Sequence, residues 1–211
     1  MKILITAGST HEHIDPVRYI TNASSGRQGI LLAHEAVKRG HGVVLILGKT
    51  NVPDIQVERP GLEIINVTSA DEMYTVAVKV FPSCDVAICA AAVGDYKVKN
   101  IATEKIKRNG DSVILELVPN KDIAKELGAM KTPNQTLIGF ALETNNGYEN
   151  AMNKLHKKNL DYVILNEITS ENPAFNVDFN SVQIIGSVGG YISLGSMSKN
   201  YVAKRILDLC L

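Results

Sequence analysis

The chain has no charge excess of either sign: Lys plus Arg and Asp plus Glu each number 22 in 211 residues. That excludes a global basic field of the kind that drives nucleic-acid binding, so any anion must be held by local cations and backbone donors. Cysteine is scarce. Cys84, Cys89 and Cys210 are an odd set whose spacing fits no zinc pattern and no disulfide framework, which predicts three reduced thiols. Cys89 lies in an apolar run, where burial raises a thiol's pKa and argues against a catalytic role. No apolar run is long enough for a signal peptide or a membrane span, and the first five-residue one reads as a strand. A cytoplasmic location is therefore expected. Internal repeats and low-complexity segments are missing too. The five histidines (His11, His13, His34, His41, His156) are scattered, with no metal cluster and no nucleophile–base pair among them.

The apolar 45% of the chain falls into an alternating pattern. Lys2 to Ala7, Val43 to Leu47, Leu62 to Val67, Asp85 to Val93, Ser112 to Val118, Gln135 to Leu142 and Tyr162 to Leu165 read as strands. Between them, helices are predicted over Gly26 to Arg39 (capped by Ser24 or Ser25), Asp71 to Phe81, Lys121 to Met130 and Asn146 to Lys158. Ser9 to Ser24 reads as a polar loop, and Asp95 to Asp111 as a cation-bearing loop or flap. Strands Ser181 to Ser187 and Tyr191 to Leu194 flank Gly189-Gly190, a hairpin signal, and a last helix opens at Ser198 or Lys199. Such alternation predicts an α/β fold: a Rossmann-like, doubly wound, mostly parallel sheet with helices on both faces and a small C-terminal hairpin extension. One domain over residues 1–211 is expected. Ligands of such sheets bind beyond the carboxyl ends of the strands.

An NADP-dependent oxidoreductase is one reading of a strand, a glycine loop and a helix. The glycines are far apart, however: Gly8, then Gly26 and Gly29. The second strand ends in Leu47-Gly48-Lys49, with no acid for ribose hydroxyls, and no Tyr-x-x-x-Lys pair is present.

Thr6-Ala7-Gly8-Ser9-Thr10 and Asp15-Pro16-Val17-Arg18-Tyr19-Ile20-Thr21-Asn22-Ala23-Ser24-Ser25-Gly26-Arg27-Gln28-Gly29 form an unusual pair. Further along stand Ala90-Ala91-Ala92-Val93-Gly94-Asp95-Tyr96, Glu104-Lys105-Ile106-Lys107-Arg108, Val118-Pro119-Asn120-Lys121-Asp122-Ile123 and Gly139-Phe140-Ala141-Leu142-Glu143-Thr144. In this order the segments resemble those of bacterial phosphopantothenoylcysteine synthetases over about residues 2 to 180. Departures include Glu12-His13 for Glu-Pro, Gly94 for Ala, Lys121 for Pro and Arg108 for Lys.

The resemblance implies a monofunctional ligase that joins 4′-phosphopantothenate to L-cysteine through an acyl nucleotide. CTP is expected rather than ATP, with Mg²⁺ carried by the triphosphate. Since the chain starts at the first synthetase strand, no flavin is expected. The physical problem is crowded negative charge, which preorganised donors and cations must stabilise. Gly8, Ser24, Ser25, Gly26 and Gly29 then form a phosphate cradle at a helix N-terminus; a plain capped helix is the bland alternative. Asn22 and Lys105 are the expected catalytic pair: Asn22 for the attack of cysteine, Lys105 as a mobile cation assisted by Lys107 and Arg108. An Asx turn and a solvated basic loop account for the same residues without chemistry. Arg18 is a candidate for the substrate phosphate or for a surface ion pair. For the nucleotide, the resemblance implies Cys89, Ala90, Ala91, Asp95, Lys121, Asp122, Ile123, Ala124, Phe140, Lys154 and Lys158. The last two lysines are one helical turn apart, where like charges repel unless an anion intervenes. A homodimer is implied by the resemblance alone. The rival class is a non-catalytic nucleotide-binding module, which would keep the cradle and lose Asn22 and Lys105.

Overall fold

The computed structural model describes all residues except 53–58, 109, 111, 170, 171 and 173–177. Its elements in chain order are β1 (Lys2–Ala7), β2 (His11–Asp15), β3 (Arg18–Thr21), α1 (Arg27–Lys38), β4 (Gly42–Leu47), β5 (Leu62–Asn66), α2 (Ala70–Val80), β6 (Val86–Cys89), β7 (Tyr96–Val98), β8 (Leu117–Pro119), α3 (Ile123–Met130), β9 (Thr136–Glu143), α4 (Gly147–Lys157), β10 (Tyr162–Glu167), β11 (Phe179–Gly186), β12 (Tyr191–Ser198) and α5 (Lys199–Cys210). Eight strands form one sheet in the order β12-β11-β10-β9-β6-β1-β4-β5. From β5 to β10 neighbouring strands run parallel, and β11 and β12 add antiparallel to β10.

The sheet is buried on both faces, which is why its central strands read as unbroken apolar runs rather than alternating ones. Helices α1 and α5 cover one face over Ile3, Ile5, Val43, Leu45, Ile88 and Ile164. Helices α2, α3 and α4 cover the other over Leu4, Val44, Ile46, Ala87, Leu137 and Val163. The chain leaves β1 toward β4 on one side and toward β6 on the other, so the strand order reverses there and opens a crevice at the carboxyl ends.

Four expectations need correction. The segment from Ser9 to Ser24 is not loop throughout: it holds the antiparallel pair β2–β3. Buried Glu12 and Asp15 explain the missed strand, because its inward residues are polar. Residues 112–116 are not strand, and only Leu117–Pro119 pairs, with β7. The predicted strand Asp85 to Val93 ends at Cys89, so the small residues after it leave the ladder. Neither Ser24 nor Ser25 is the N-cap of α1. Gly26 is, at φ 77°, a conformation side chains resist, and a Cβ there would lie 2.7 Å from the Gly8 Cα. The terminal hairpin is present and extends the main sheet by two strands.

Helix α3 packs unusually close to the end of α4. A Cβ on Gly128 would stand 1.9 Å from the Lys158 carbonyl oxygen. Overpacking of this kind costs about 1–3 kcal/mol when the neighbours can move at all. Asn159, at φ 49°, turns the chain out of α4, and its amide donates to the Gly128 carbonyl at 2.9 Å.

Candidate functional site at the carboxyl ends of the strands

A cavity of about 250 Å³ opens beyond β6 and β9, between the starts of α3 and the lysine face of α4. Cys89, Ala91, Asp95, Lys121, Asp122, Ile123, Ala124, Phe140, Lys154 and Lys158 line it, joined by Thr6, Val93, Gly94, Asn120 and Gly139. Ala90 does not line it; it packs on the core beneath α1. The small residues after β6 make room for a flat group at the strand end. They are held in place by the Thr6 hydroxyl, which accepts from the Ala91 amide at 3.3 Å, and by the Ala92 amide, which donates to the Gly8 carbonyl at 2.9 Å.

The charges of the cavity are arranged in pairs. Lys158 stands 2.9 Å from an Asp122 oxygen. The other Asp122 oxygen accepts from the Lys125 amide and caps α3. Burial pushes the Asp122 carboxyl up, but these hydrogen bonds and the lysine charges outweigh it and hold it below its ordinary value. Lys154 reaches the Phe140 carbonyl at 2.6 Å. Burial, then the charge of Lys158, lowers its pKa. Cys89 is a neutral thiol here, with burial pushing its pKa to about 12. Lys121 lies over the Tyr74 ring, 4.6 Å from its centre.

Asn120, inside the quoted Val118–Ile123 segment, was not assigned a role from sequence. Its side-chain amide donates to the Gly94 carbonyl at 2.8 Å, and its backbone amide to the Asp95 carbonyl at 2.8 Å. Asn120 thereby fixes the turn that carries Asp95. Glu12 was also missed. It is buried and accepts from the Ala70 amide at 3.0 Å, at the first turn of α2.

Gly8, Ser24, Ser25, Gly26 and Gly29 do not line this cavity. Backbone fills the space beside the glycines: a Cβ on Gly29 would meet the Ala7 Cβ at 2.6 Å. The Ser24 and Ser25 hydroxyls accept from the Gly26 and Arg27 amides, and α1 has no side-chain cap and no acidic residue in its first turn. Its start therefore keeps open amides and an uncompensated positive end.

Asn22 sits between that helix start and the cavity, its amide donating to the carbonyl of cavity-lining Val93 at 3.1 Å. Arg18 is not an open cation. It forms an ion pair with the fully covered Asp15 and donates to the Ile106 carbonyl at 2.8 Å. Asp15 also accepts from the amides of Val17, Arg18 and Ile106. The residue after Lys105 is thus latched to the hairpin that leads into Asn22. Lys105 itself is exposed, outside the cavity lining, and without a partner among the described residues, as are Lys107 and Arg108. Lys97 and Lys99 are committed elsewhere, to Asp71 and Glu116.

The Arg18 side chain holds the Asp15 carboxyl well below the usual carboxylate range. A depressed folded pKa contributes stability that is complete above the unfolded value near 3.8 and is lost as pH falls through the folded one. Asp15→Asn is expected to flatten this acid limb in thermal melts between pH 5 and pH 2. It also frees the loop that carries Lys105 from its contact with the hairpin. Unchanged acid melts would contradict the latch.

The fold and the cavity at the carboxyl ends of its strands define a Rossmann-like α/β protein with Lys154 and Lys158 on the cavity wall. The chain belongs to the DNA/pantothenate metabolism flavoprotein C-terminal domain family, whose pattern matches residues 1–211. It is 43% identical over 210 residues to the coenzyme A biosynthesis bifunctional protein CoaBC of Borreliella burgdorferi, covering 99% of this chain and 52% of that one. A cysteine/cysteine sulfinic acid decarboxylase from an unknown prokaryotic organism is 41% identical over 206 residues, 98% of this chain and 56% of that protein. The chain spans about half the length of the curated relatives it matches. The crystal structure of the C-terminal domain of a CoaBC protein superimposes with a TM-score of 0.80 at 36% identity, over 98% of this chain and 92% of that one. No described helix is long and apolar enough to cross a membrane.

Proposed function

We propose that this chain is a phosphopantothenate–cysteine ligase of coenzyme A biosynthesis, acting in the cytoplasm. The observation that carries the reading is the strand-end cavity, where Lys154 and Lys158 face Asp95, Asp122 and Phe140. In this reading the base and ribose lie against Ala91, Asp95 and Phe140, and the phosphates meet Lys154 and Lys158. The open start of α1, with Ser24, Ser25 and Gly26, takes an anionic end of the second substrate. Asn22 stands between the two. Its remaining amide proton and its carbonyl oxygen are suited to a developing oxyanion and an incoming amine. Lys105, on its latched loop, supplies positive charge as the carboxylate becomes an acyl nucleotide and pyrophosphate leaves. The amine of cysteine then displaces the monophosphate and forms the amide.

No three His, Cys, Asp or Glu residues among those described are grouped to hold a metal. That donor set fits a Mg²⁺ brought by the triphosphate and its water, with Asp95 the nearest carboxylate not engaged by a lysine. Bound there, the ion would neutralise phosphate charge. We read the nucleotide as CTP.

We also read the protein as a homodimer. Val17, Tyr19, Tyr96, Ile101, Ile114 and Leu117 are exposed on the β2–β3 and β7–β8 hairpins and the loop between β7 and β8, a set of apolar side chains that a second copy would cover. Light scattering at micromolar concentration is expected to give twice the 22.9 kDa chain mass.

The reaction is tested by incubating the protein with 4′-phosphopantothenate and CTP or ATP, without cysteine, and analysing the mixture by mass spectrometry. An acyl cytidylate with one pyrophosphate is expected. No pyrophosphate with any triphosphate overturns the ligase reading and leaves a binding module. Carbon dioxide release without nucleotide would favour a decarboxylase. Lys158→Met removes a phosphate cation and leaves Asp122 unpaired. It is expected to raise the nucleotide KM by ~10- to 100-fold, the worth of one hydrogen bond to a charged group, with a smaller change in kcat.

A further inference from the structure

A second concavity, of about 500 Å³, lies on the opposite face of the sheet, in the groove between α1 and α5. Its charged lining is lopsided. Lys38 of α1, Lys204 of α5 and Arg59 before β5 all border it, and all three are exposed. None has an ion-pair partner among the described residues. The one carboxylate of the lining, Glu35, is already engaged by Arg39 at 2.9 Å, and Arg39 in turn binds Asp208.

Two further features bias the groove the same way. The first turn of α5 borders it through Asn200 and Tyr201, so the positive end of a twelve-residue helix adds to the three cations. His34, on the groove wall, has a buried Nε2 with no hydrogen-bond partner among the described residues. Burial and then the charge of Arg59 disfavour its imidazolium. Three exposed cations without an ion-pair partner among the described residues border one concavity, and an anion there would neutralise them. The groove shares no residue with the strand-end cavity. Its volume falls in the range of small-molecule sites.

We propose that the α1–α5 groove is a second anion site, which takes a small phosphate-bearing molecule of at least two negative charges on Lys38, Arg59 and Lys204. A diphosphate and a phosphate monoester both present such a head, with at least two negative charges on clustered phosphate oxygens.

The test is a residue-resolved NMR titration of the full chain with inorganic pyrophosphate and, separately, with glycerol phosphate, at constant ionic strength. Saturable shifts are expected at His34, Lys38, Tyr201 and Lys204. They should persist in Lys158→Met, where the strand-end cavity is impaired. In Lys38→Glu/Lys204→Glu, apparent affinity in the groove should fall by ~10-fold or more, two exposed charge reversals of about 0.7 kcal/mol each. If that pair does not fold, Lys38→Gln/Lys204→Gln should give the same ordering with a smaller loss. Tighter binding of one anion identifies the source. Non-saturating drifts, shifts confined to residues 121–124 and 140, or affinities unchanged in the paired variants would each overturn the site. None of these readouts depends on ligase activity, so failure here and failure of the proposed reaction are distinguishable.

Discussion

Asn22→Ala is expected to stop the reaction halfway. The side chain donates to the Val93 carbonyl at the cavity rim, and the alanine keeps the backbone while losing both the donor and the acceptor. Removing one preorganised donor to a developing oxyanion typically costs 10²- to 10³-fold, or about 2.7–4 kcal/mol. The first half-reaction relies chiefly on the lysines and should persist. The acyl nucleotide should therefore accumulate in the presence of cysteine and be visible by mass spectrometry, with pyrophosphate released in a burst and product formed slowly. A variant that makes the amide at the normal rate would remove Asn22 from the chemistry.

Lys105→Gln carries the second large effect. Lys105 has no partner among the described residues, so its removal breaks no contact, and circular dichroism and Tm should stay near those of the unmodified chain. In the proposed reaction Lys105 supplies charge to the phosphate and carboxylate as they react, so its loss should still lower kcat by ~10² or more, with a smaller change in KM, because the charge matters most when the transition state forms. Both half-reactions should slow, which separates this variant from Asn22→Ala. Loss of stability in step with activity would instead mark Lys105 as a structural residue. Normal turnover would return the loop to the solvated basic surface that its composition alone suggests.

The two variants also expose what the amino-acid order could and could not convey. The buried strands were legible because a sheet covered on both faces writes itself as apolar runs, as in Lys2–Ala7 and Gly42–Leu47. Ser198 was legible as a helix start and accepts from an amide three residues on, whereas Asp122, read as lying inside the Lys121 to Met130 helix, is that helix's cap. Strand β2 was not legible, because its buried residues Glu12 and Asp15 are polar, and Glu12 is satisfied by the distant Ala70 amide. The same holds for Asn120, whose two hydrogen bonds reach Gly94 and Asp95 across 25 or so positions of chain. The lining of the strand-end cavity takes in the predicted nucleotide residues from Cys89 to Lys158 except Ala90, and none of Gly8, Ser24, Ser25, Gly26 and Gly29. Of the two readings left open for Arg18, the structure shows the ion pair, with Asp15, and adds a hydrogen bond to the Ile106 carbonyl that no spacing announces.

The missing side chain at Gly128 has a consequence for selectivity. With a methyl group's worth of space already occupied by the Lys158 carbonyl, α3 and α4 stand at their minimum separation. Asp122 and Ile123 on one wall and Lys154 on the other take their spacing from that contact. The aperture offered to a base is therefore gauged by an absence, and any larger residue there would act as a shim that widens it. In the proposed reading, discrimination between a one-ring and a two-ring base would then be set outside the cavity, by how closely two backbones touch.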